Sequence, residues 1–197
     1  MPPSPAEILK TFADAKVVAT EGYCSPAQMD FFLDWLKDHP TVKTIFEIGF
    51  NAGHSAYTFL SARDDITVVS LDLGAHDYVI KGKALIDTKF PGRHTLLIGD
   101  STKALNGLTA TVKMLSSFAP DLLFIDGGHD DNIPYLDIIN SIKFAKPGSW
   151  LIIDDVIDHH VAVVNGVKKA MGEGRLAALG QYKDGPHRGW LVAKPLY

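Results

Sequence analysis

The chain has 197 residues, 46% of them hydrophobic, and a formal net charge of -4. This length supports one domain with a sizeable core, because two domains of half the size would each bury too small a share of their surface. The slightly negative charge argues against nucleic acid as a partner, since a phosphate backbone is bound by a field of basic side chains.

The N-terminal part of the chain predicts helices and an intracellular location. Residues 1–5 lack the charged and apolar regions of a signal peptide, and no apolar run approaches the roughly 18 residues of a membrane span. The single cysteine, Cys24, cannot form an internal disulfide, which fits a reducing compartment. Residues 5–19 and 26–38 are predicted as helices, and we expect residues 1–42 to form a helical cap on a cytoplasmic protein without a membrane partner.

From residue 43 onwards, short apolar runs rich in β-branched residues alternate with longer amphipathic segments. The runs cover residues 44–48, 66–71, 94–98, 122–125 and 150–153, and the segments between them cover residues 55–62, 78–90, 102–118 and 131–145. Strand alternating with helix predicts a mostly parallel sheet, and right-handed crossovers place the helices on both of its faces. The pattern predicts a single doubly wound, Rossmann-like α/β domain over residues 43–197, which folds as one unit with the cap.

The C-terminal part of the chain departs from this alternation. A predicted helix at residues 161–171 is followed by two predicted strands at residues 176–182 and 189–193. The connection between them is short and rich in turn residues, so we expect the two strands to form an antiparallel hairpin.

The segment after the first strand reads Glu47-Ile48-Gly49-Phe50-Asn51-Ala52-Gly53-His54-Ser55. In an open parallel sheet, ligands bind outside the carboxyl ends of the strands, and glycines there let the backbone approach a ligand closely. The dinucleotide fingerprint G-x-G-x-x-G is not met, because Asn51 and His54 stand where it has glycine. Two glycines alone are equally typical of an ordinary turn between strand and helix.

Acidic and hydroxyl side chains also follow the second and third strands. Asp72 ends the second strand 23 residues after Gly49, where a carboxylate can accept hydrogen bonds from two neighbouring ribose hydroxyls or simply begin a turn. Asp100 and Ser101 follow the third strand and can contact a ligand, cap the next helix, or do both.

A cluster of carboxylates follows the fourth and fifth strands. Asp126 comes directly after the fourth strand, and Asp154 and Asp155 come directly after the fifth. Because these strands are expected to be neighbours, the three carboxylates should lie at one edge of the sheet, where they repel one another unless protons or a cation neutralise them. Oxygen ligands alone suit a hard divalent ion such as Mg²⁺.

The first of these motifs resembles that of the class I S-adenosylmethionine-dependent methyltransferases, whose first loop reads acid-x-Gly-x-x-x-Gly. Glu47, Gly49 and Gly53 match this pattern. The resemblance implies that S-adenosylmethionine binds at this edge of the sheet, with Glu47 facing its methionine end. The cofactor contacts that it implies are Glu47, Gly49, Asn51, Gly53, Ser55, Asp72, Asp100, Ser101 and Asp126.

The carboxylate cluster narrows the resemblance to the metal-dependent O-methyltransferases. Similar patterns occur in the catechol type and in the type that methylates sugars of macrolide antibiotics, which lies near the cephalosporin-hydroxylase proteins. In these families one acid ends the fourth strand, and a second acid followed by Asp or Asn ends the fifth. The resemblance covers roughly residues 43–156 and implies a Mg²⁺ ion bound by Asp126, Asp154 and Asp155.

His129 stands three residues after Asp126. The catechol type has a lysine there as general base, whereas the macrolide-sugar type is similar to this chain in having Asp-x-x-His. A neutral imidazole is suited to accept a proton near neutral pH, so we expect His129 and Asp126 to be catalytic. Packing against the next helix and metal ligation stay open as alternatives for His129. His159 and His160 lack cysteine partners or an H-E-x-x-H helix, and they predict a solvated turn better than a zinc site.

The sequence therefore predicts methyl transfer from S-adenosylmethionine to a hydroxyl of a small molecule. A catechol or a sugar diol is the expected acceptor, because two adjacent oxygens could chelate the ion. One alternative is a nicotinamide-dependent oxidoreductase, which the missing third glycine and the absence of a Tyr-x-x-x-Lys pair disfavour. Another is a catalytically silent, methyltransferase-like partner subunit. A homo-oligomer is also left open, since an apolar helix face looks the same in a dimer as in a monomer core.

Overall fold

The computed structural model describes residues 2–107 and 109–196. The helices are α1 (Pro5–Asp14), α2 (Pro26–Asp38), α3 (His54–Ala62), α4 (Asp77–Lys89), α5 (Ser101–Ala104), α6 (Ala110–Phe118), α7 (Ile133–Ile142) and α8 (Val161–Gly172). The strands are β1 (Thr44–Ile48), β2 (Thr67–Asp72), β3 (His94–Ile98), β4 (Leu122–Ile125), β5 (Trp150–Ile153), β6 (Leu176–Lys183) and β7 (Gly189–Pro195). No helix in the described part of the chain is long and apolar enough to cross a membrane.

The seven strands form one sheet in the order β3-β2-β1-β4-β5-β7-β6. Strands β1 to β5 pair with one another in parallel, while β7 is antiparallel to both β5 and β6. The predicted doubly wound fold with a C-terminal hairpin is therefore confirmed. The strand order reverses between β1 and β4, and such a reversal opens a crevice at the carboxyl ends of the strands.

Alternation along the strands gives each face of the sheet its own apolar core, because successive side chains point to opposite faces. Ile45, Val68 and Phe124 face helices α1 to α4. Phe46 and Leu123 belong to the core on the other face, which packs against helices α5 to α8. The sheet is thus covered on both sides, as expected for parallel strands.

The N-terminal helices belong to the first of these cores. The ring of Phe32 in α2 lies 4.9 Å from that of Phe59 in α3 and 5.3 Å from that of Phe124 in β4. Helix α2 matches its predicted bounds, but α1 ends at Asp14 and does not continue to residue 19. It ends because the chain turns at Lys16, whose φ of 57° lies in the left-handed region.

The predicted helix over residues 102–118 is also wrong, because this segment forms two helices. The side chain of Asp100 accepts a hydrogen bond from the Thr102 amide at 3.0 Å and caps the short helix α5. The hydroxyl of Thr109 accepts one from the Val112 amide at 3.1 Å and begins α6. Side chains that cap a helix in this way compete with continuation of the preceding one.

Candidate active site

The carboxyl ends of the parallel strands meet at one rim. Hydrogen bonds of 2.9 Å join the Gly49 amide to Leu71, the Asp126 amide to Ile48, and the Asp154 amide to Ile125. The strand pairing therefore continues one residue beyond β1, β4 and β5, which aligns the residues that follow them. A cavity of about 880 Å³ opens at this rim, and its size is typical of pockets that bury a small ligand.

Most of the predicted site residues line this cavity. They are Gly49, Asn51, Asp72, Asp100, Ser101, Asp126, His129, Asp154 and Asp155. The predicted cofactor contacts Glu47, Gly53 and Ser55 are not among the lining residues. The structure thus brings the strand-end residues together and leaves three residues of the first-loop motif behind the cavity wall.

Glu47 lies on the face of the sheet that α3 covers, where it is fully buried. Its carboxylate accepts hydrogen bonds from the hydroxyls of Ser55 and Ser70, and the Ser70 hydroxyl also lies 3.0 Å from Nε2 of His94. Burial raises the pKa of Glu47 to about 7, although the two serine hydrogen bonds oppose the shift. The structure therefore shows Glu47 joining α3 to the sheet, where we expected it to face a ligand.

The two glycines of the first loop are required by neighbouring protein atoms. A β-carbon on Gly49, whose φ is +90°, would lie 1.8 Å from the carbonyl oxygen of Asp126. A β-carbon on Gly53, also at φ +90°, would lie 2.6 Å from the ring of Phe50 and 2.8 Å from Ile86. We expected these glycines to make room for a ligand, but they make room for β4 and for apolar side chains.

Asp72 holds the first loop in place. Its Oδ2 accepts hydrogen bonds from the amides of Phe50 at 3.0 Å and Asn51 at 2.8 Å, and its Oδ1 accepts one from the Gly74 amide at 2.7 Å. A carboxylate can accept about four hydrogen bonds, so Asp72 keeps room for about one more through Oδ1. This geometry fits one ligand hydroxyl, where we expected two.

Asp100 and Ser101 both have protein partners at the rim. Asp100 caps α5 and pairs with Lys103 at 2.9 Å, and hydrogen bonds from Thr102 and Lys103 lower its pKa. The Ser101 hydroxyl donates to Oδ1 of Asp137 at 2.6 Å. Burial raises the pKa of Asp137 to about 6, and its Oδ2 has no partner among the described residues.

The predicted carboxylates after β4 and β5 share the rim but not a common orientation. Burial raises the pKa of Asp126 well above its usual range, and the charges of Asp154 and Asp155 add to that shift. Burial also raises the pKa of Asp154 to about 7. Both Asp154 oxygens accept hydrogen bonds, one from the Gln28 amide group at 2.7 Å and one from the Asp155 backbone at 2.8 Å.

Asp155 turns instead towards two histidines. Its Oδ2 lies 2.9 Å from Nε2 of His129, and its Oδ1 lies 3.7 Å from Nε2 of His160. The hydrogen bond that His129 donates to Asp155 raises the pKa of His129, while burial opposes the shift. His160, which we expected in a solvated turn, therefore belongs to the cavity wall.

A segment that we call the strap (residues 21–24) covers part of the cavity. The Asn51 side chain donates to the Gly22 carbonyl at 2.9 Å, and Arg188 donates to the Tyr23 carbonyl at 3.0 Å. Arg188 precedes β7, so the strap bridges the first loop and the C-terminal hairpin. The sequence did not predict these two hydrogen bonds, because long-range hydrogen bonds to backbone carbonyls leave no local pattern.

Comparison with known proteins identifies the family. Residues 46–156, more than half of the chain, match the family model described as methyltransferase domain. The chain belongs to this family. Its predicted membership of the class I methyltransferases is therefore confirmed, and the oxidoreductase alternative is not supported. No curated protein sequence matches the chain.

Solved structures with the same fold include several methyltransferases. A candidate caffeoyl-CoA O-methyltransferase from Staphylococcus aureus is 17% identical, with a TM-score of 0.76 over 97% of this chain and 92% of that one. An O-methyltransferase from Bacillus cereus, in complex with S-adenosylhomocysteine, is 19% identical with a TM-score of 0.73 over 95% and 88%. An S-adenosylhomocysteine-bound methyltransferase from Podospora anserina is 15% identical with a TM-score of 0.75 over 98% and 89%. At these identities the likeness establishes the fold.

The first prediction concerns the contact between Gly49 and β4. Gly49→Ala should lower the free energy of unfolding by about 2–5 kcal/mol, since the β-carbon meets the Asp126 carbonyl and φ is positive. Gly92→Ala is a matched control, because Gly92 has a φ of +74° but open space around it, and should cost only about 1–2 kcal/mol. Urea unfolding measures both, and equal losses would show that the close contact is unimportant.

The second prediction concerns the buried Glu47 carboxyl. Its pKa of about 7 lies above the unfolded value of 4.5, so its contribution to stability is full below pH 4.5 and is lost as pH rises towards 7. Glu47→Gln cannot ionise, and it should therefore gain stability relative to wild type between pH 5 and pH 8, by on the order of 3 kcal/mol.

Urea unfolding midpoints of the two proteins at pH 5 and pH 8 give this difference. Glu173→Gln removes an exposed carboxylate whose oxygen accepts from the Tyr135 hydroxyl, and it should show no comparable pH-dependent gain. If the difference in unfolding midpoint between Glu47→Gln and wild type is the same at both pH values, Glu47 is ionised in the folded state.

Proposed function

We propose that the chain transfers a methyl group from S-adenosylmethionine to a hydroxyl of a small molecule. The observation that carries the proposal is the cavity at the reversal of strand order, where the loop after β1 faces Asp126, His129 and Asp155. Membership of the methyltransferase-domain family supports methyl transfer. Two proteins of the same fold were solved with S-adenosylhomocysteine, the product of the cofactor, which supports the choice of methyl donor.

The part of the cavity that Asn51 and Asp72 line, which we call the cofactor half, fits this donor. S-Adenosylmethionine supplies an electrophilic methyl group on a sulfonium when it is bound. Oδ1 of Asp72 can accept one ribose hydroxyl, and the β2–α4 connection that follows Asp72 forms one wall. Oδ1 of Asn51 is buried without a partner among the described residues, so it can accept a hydrogen bond from an N–H donor of the ligand.

The part of the cavity that His129 and Asp155 line, which we call the acceptor half, has a group that can remove a proton. With Nε2–H of His129 donating to Asp155, the neutral ring presents Nδ1 as its acceptor atom. Asp155 fixes the ring and stabilises the imidazolium that forms after proton transfer. We propose His129 as the general base and Asp155 as the residue that positions it. Asp126 lines the same cavity, and we assign no proton transfer to it.

The predicted Mg²⁺ site does not fit the arrangement of the carboxylates. Residues 2–107 and 109–196 contain one set of three or more histidine, cysteine, aspartate or glutamate side chains whose ligand atoms all lie within 4.8 Å of one another. This set consists of His129, Asp155 and His160. Asp126 and Asp154 are outside this set, and both Asp154 oxygens have protein donors. The proposed mechanism therefore has no step that depends on Mg²⁺.

The proposed acceptor is a small molecule with a hydroxyl, of the catechol or sugar-diol type. The cavity wall on this side is polar, with His129, His160, His187 and Arg188 as possible hydrogen-bond donors. We further propose that the protein acts in the cytoplasm without nucleic acid or membrane as a partner. A catalytically silent subunit would share the fold but would show no turnover with any acceptor.

The third prediction tests the cofactor half. Asp72→Asn keeps one oxygen for the loop amides but replaces the other acceptor with a donor, so the affinity for S-adenosylmethionine should fall by about 10- to 100-fold. Asp77→Asn, an exposed change at the start of α4, should bind as wild type does. Isothermal titration calorimetry measures both. Binding of NADH in place of S-adenosylmethionine would refute the proposed donor.

The fourth prediction tests His129 as the base. His129→Ala should reduce turnover by about 10²- to 10⁴-fold while the affinity for S-adenosylmethionine stays near that of wild type. The wild-type rate of the chemical step should also fall as the pH is lowered, because a protonated ring cannot accept a proton. Rapid-quench assays of methyl transfer, with excess chelator present, give this rate. A loss of less than about tenfold, or complete inhibition by the chelator, would contradict the assignment.

A further inference from the structure

Three side chains with metal-binding atoms converge on one point of the cavity wall. His129 comes from the loop after β4, whereas Asp155 and His160 come from the loop between β5 and α8. Nε2 of His129 lies 2.9 Å and Nε2 of His160 lies 3.7 Å from the two oxygens of Asp155. The rings of the two histidines are in edge contact, with centroids 4.5 Å apart.

These distances match the spacing of ligands around one ion. Bonds from a tetrahedral zinc-like ion to nitrogen or oxygen are about 2.0–2.2 Å long, which puts neighbouring ligand atoms about 3.3 Å apart. One ligand atom from each of the three residues lies within 4.8 Å of those of the other two. Small rotations of the side chains would suffice to place all three donors on one ion.

The backbone of the second loop fixes this arrangement. Asp155 has a φ of 57°, and its amide donates to the Asp154 side chain, which directs the Asp155 carboxylate away from Asp154. A non-glycine residue in the left-handed region is strained, so the surroundings must hold it there. The next amide, that of Val156, donates to Gly189 in β7 at 2.8 Å, and the Ile157 amide donates to the Asp155 carbonyl at 2.8 Å.

We propose that His129, Asp155 and His160 bind a divalent transition-metal ion of the kind that accepts imidazole, such as Zn²⁺ or Co²⁺. Two of the three donors are nitrogens, whereas Mg²⁺ requires oxygen donors in near-octahedral geometry. The same imidazole of His129 serves as a ligand when the ion is present and as the base in its absence.

The bound ion would keep an open side. His129, Asp155 and His160 all line the cavity, and three protein ligands leave a coordination position for a further oxygen. That this oxygen belongs to the methyl acceptor rests on the proposed function. The binding of the ion itself does not rest on the proposed function.

The experiment measures Co²⁺ binding to the chelator-treated full chain, by the visible absorption of the coordinated ion and by calorimetry. Wild type should bind one ion. His160→Asn and His160→Ala should weaken ion binding by at least about tenfold, because losing a metal ligand should cost at least as much affinity as losing a residue that hydrogen-bonds to a ligand. His159→Ala is the matched control. His159 lies beside His160, with ring centroids 4.6 Å apart, but outside the proposed ligand set, and its loss should leave affinity within about twofold.

Other outcomes would overturn the proposal. If Asp126→Asn or Asp154→Asn abolishes binding while both His160 variants bind as wild type does, the ion belongs to the carboxylates. Displacement of Co²⁺ by millimolar Mg²⁺, or no binding by wild type, would also refute the site. Circular dichroism checks that the variants fold. S-Adenosylmethionine titration of the same proteins reports separately on the proposed function, because none of the three ligands lies in the cofactor half.

Discussion

The contact between the first loop and the end of β4 constrains everything else at the rim. Gly49 lies so close to the Asp126 carbonyl that no side chain fits between them, and the loop that follows is held by the Asp72 carboxylate. These two constraints close the bottom of the crevice at the reversal of strand order. They also bring Asp126 against the wall of the cofactor half, so that the proposed reacting groups lie next to the part of the cavity that we propose for the donor.

Electrostatics divides the buried acids of the site into two groups. Glu47 is neutralised within the protein, since burial raises its pKa to about 7 and two serine hydroxyls satisfy its oxygens. Asp126, Asp154 and Asp155 line the cavity together, and Oδ2 of Asp155 lies 2.9 Å from Nε2 of His129. Glu47 therefore joins α3 to the sheet, whereas the other three acids lie where a ligand can reach them.

The sequence was sufficient to predict the parallel sheet, the hairpin and the strand-end residues of the cavity, because β-branched runs and the acids that follow them are local patterns. The role of Glu47 was missed although the alternation of side chains contained the signal: Ile45, Glu47 and the buried face of α3 share one side of the sheet. The metal ligands expected from Asp126, Asp154 and Asp155 depended on side-chain direction, which strand order does not determine.

Other features had no signal in the sequence. The break between α5 and α6 depends on whether Thr109 caps a new helix or continues the old one, and both are compatible with its residue type. His160 reaches Asp155 only because the loop before α8 is tied to β7. The strap is attached through backbone carbonyls, whose position no side-chain pattern reports.

The packing of Phe32 has a consequence for how the chain comes apart. Its ring contacts a helix and the central strand at once, so residues 1–42 are not an accessory laid over a finished domain. Removing them would expose the buried rings of Phe59 in α3 and Phe124 in β4 to water. The boundary near residue 42 marks a change of pattern along the sequence, and we expect the two segments to unfold together as one cooperative unit.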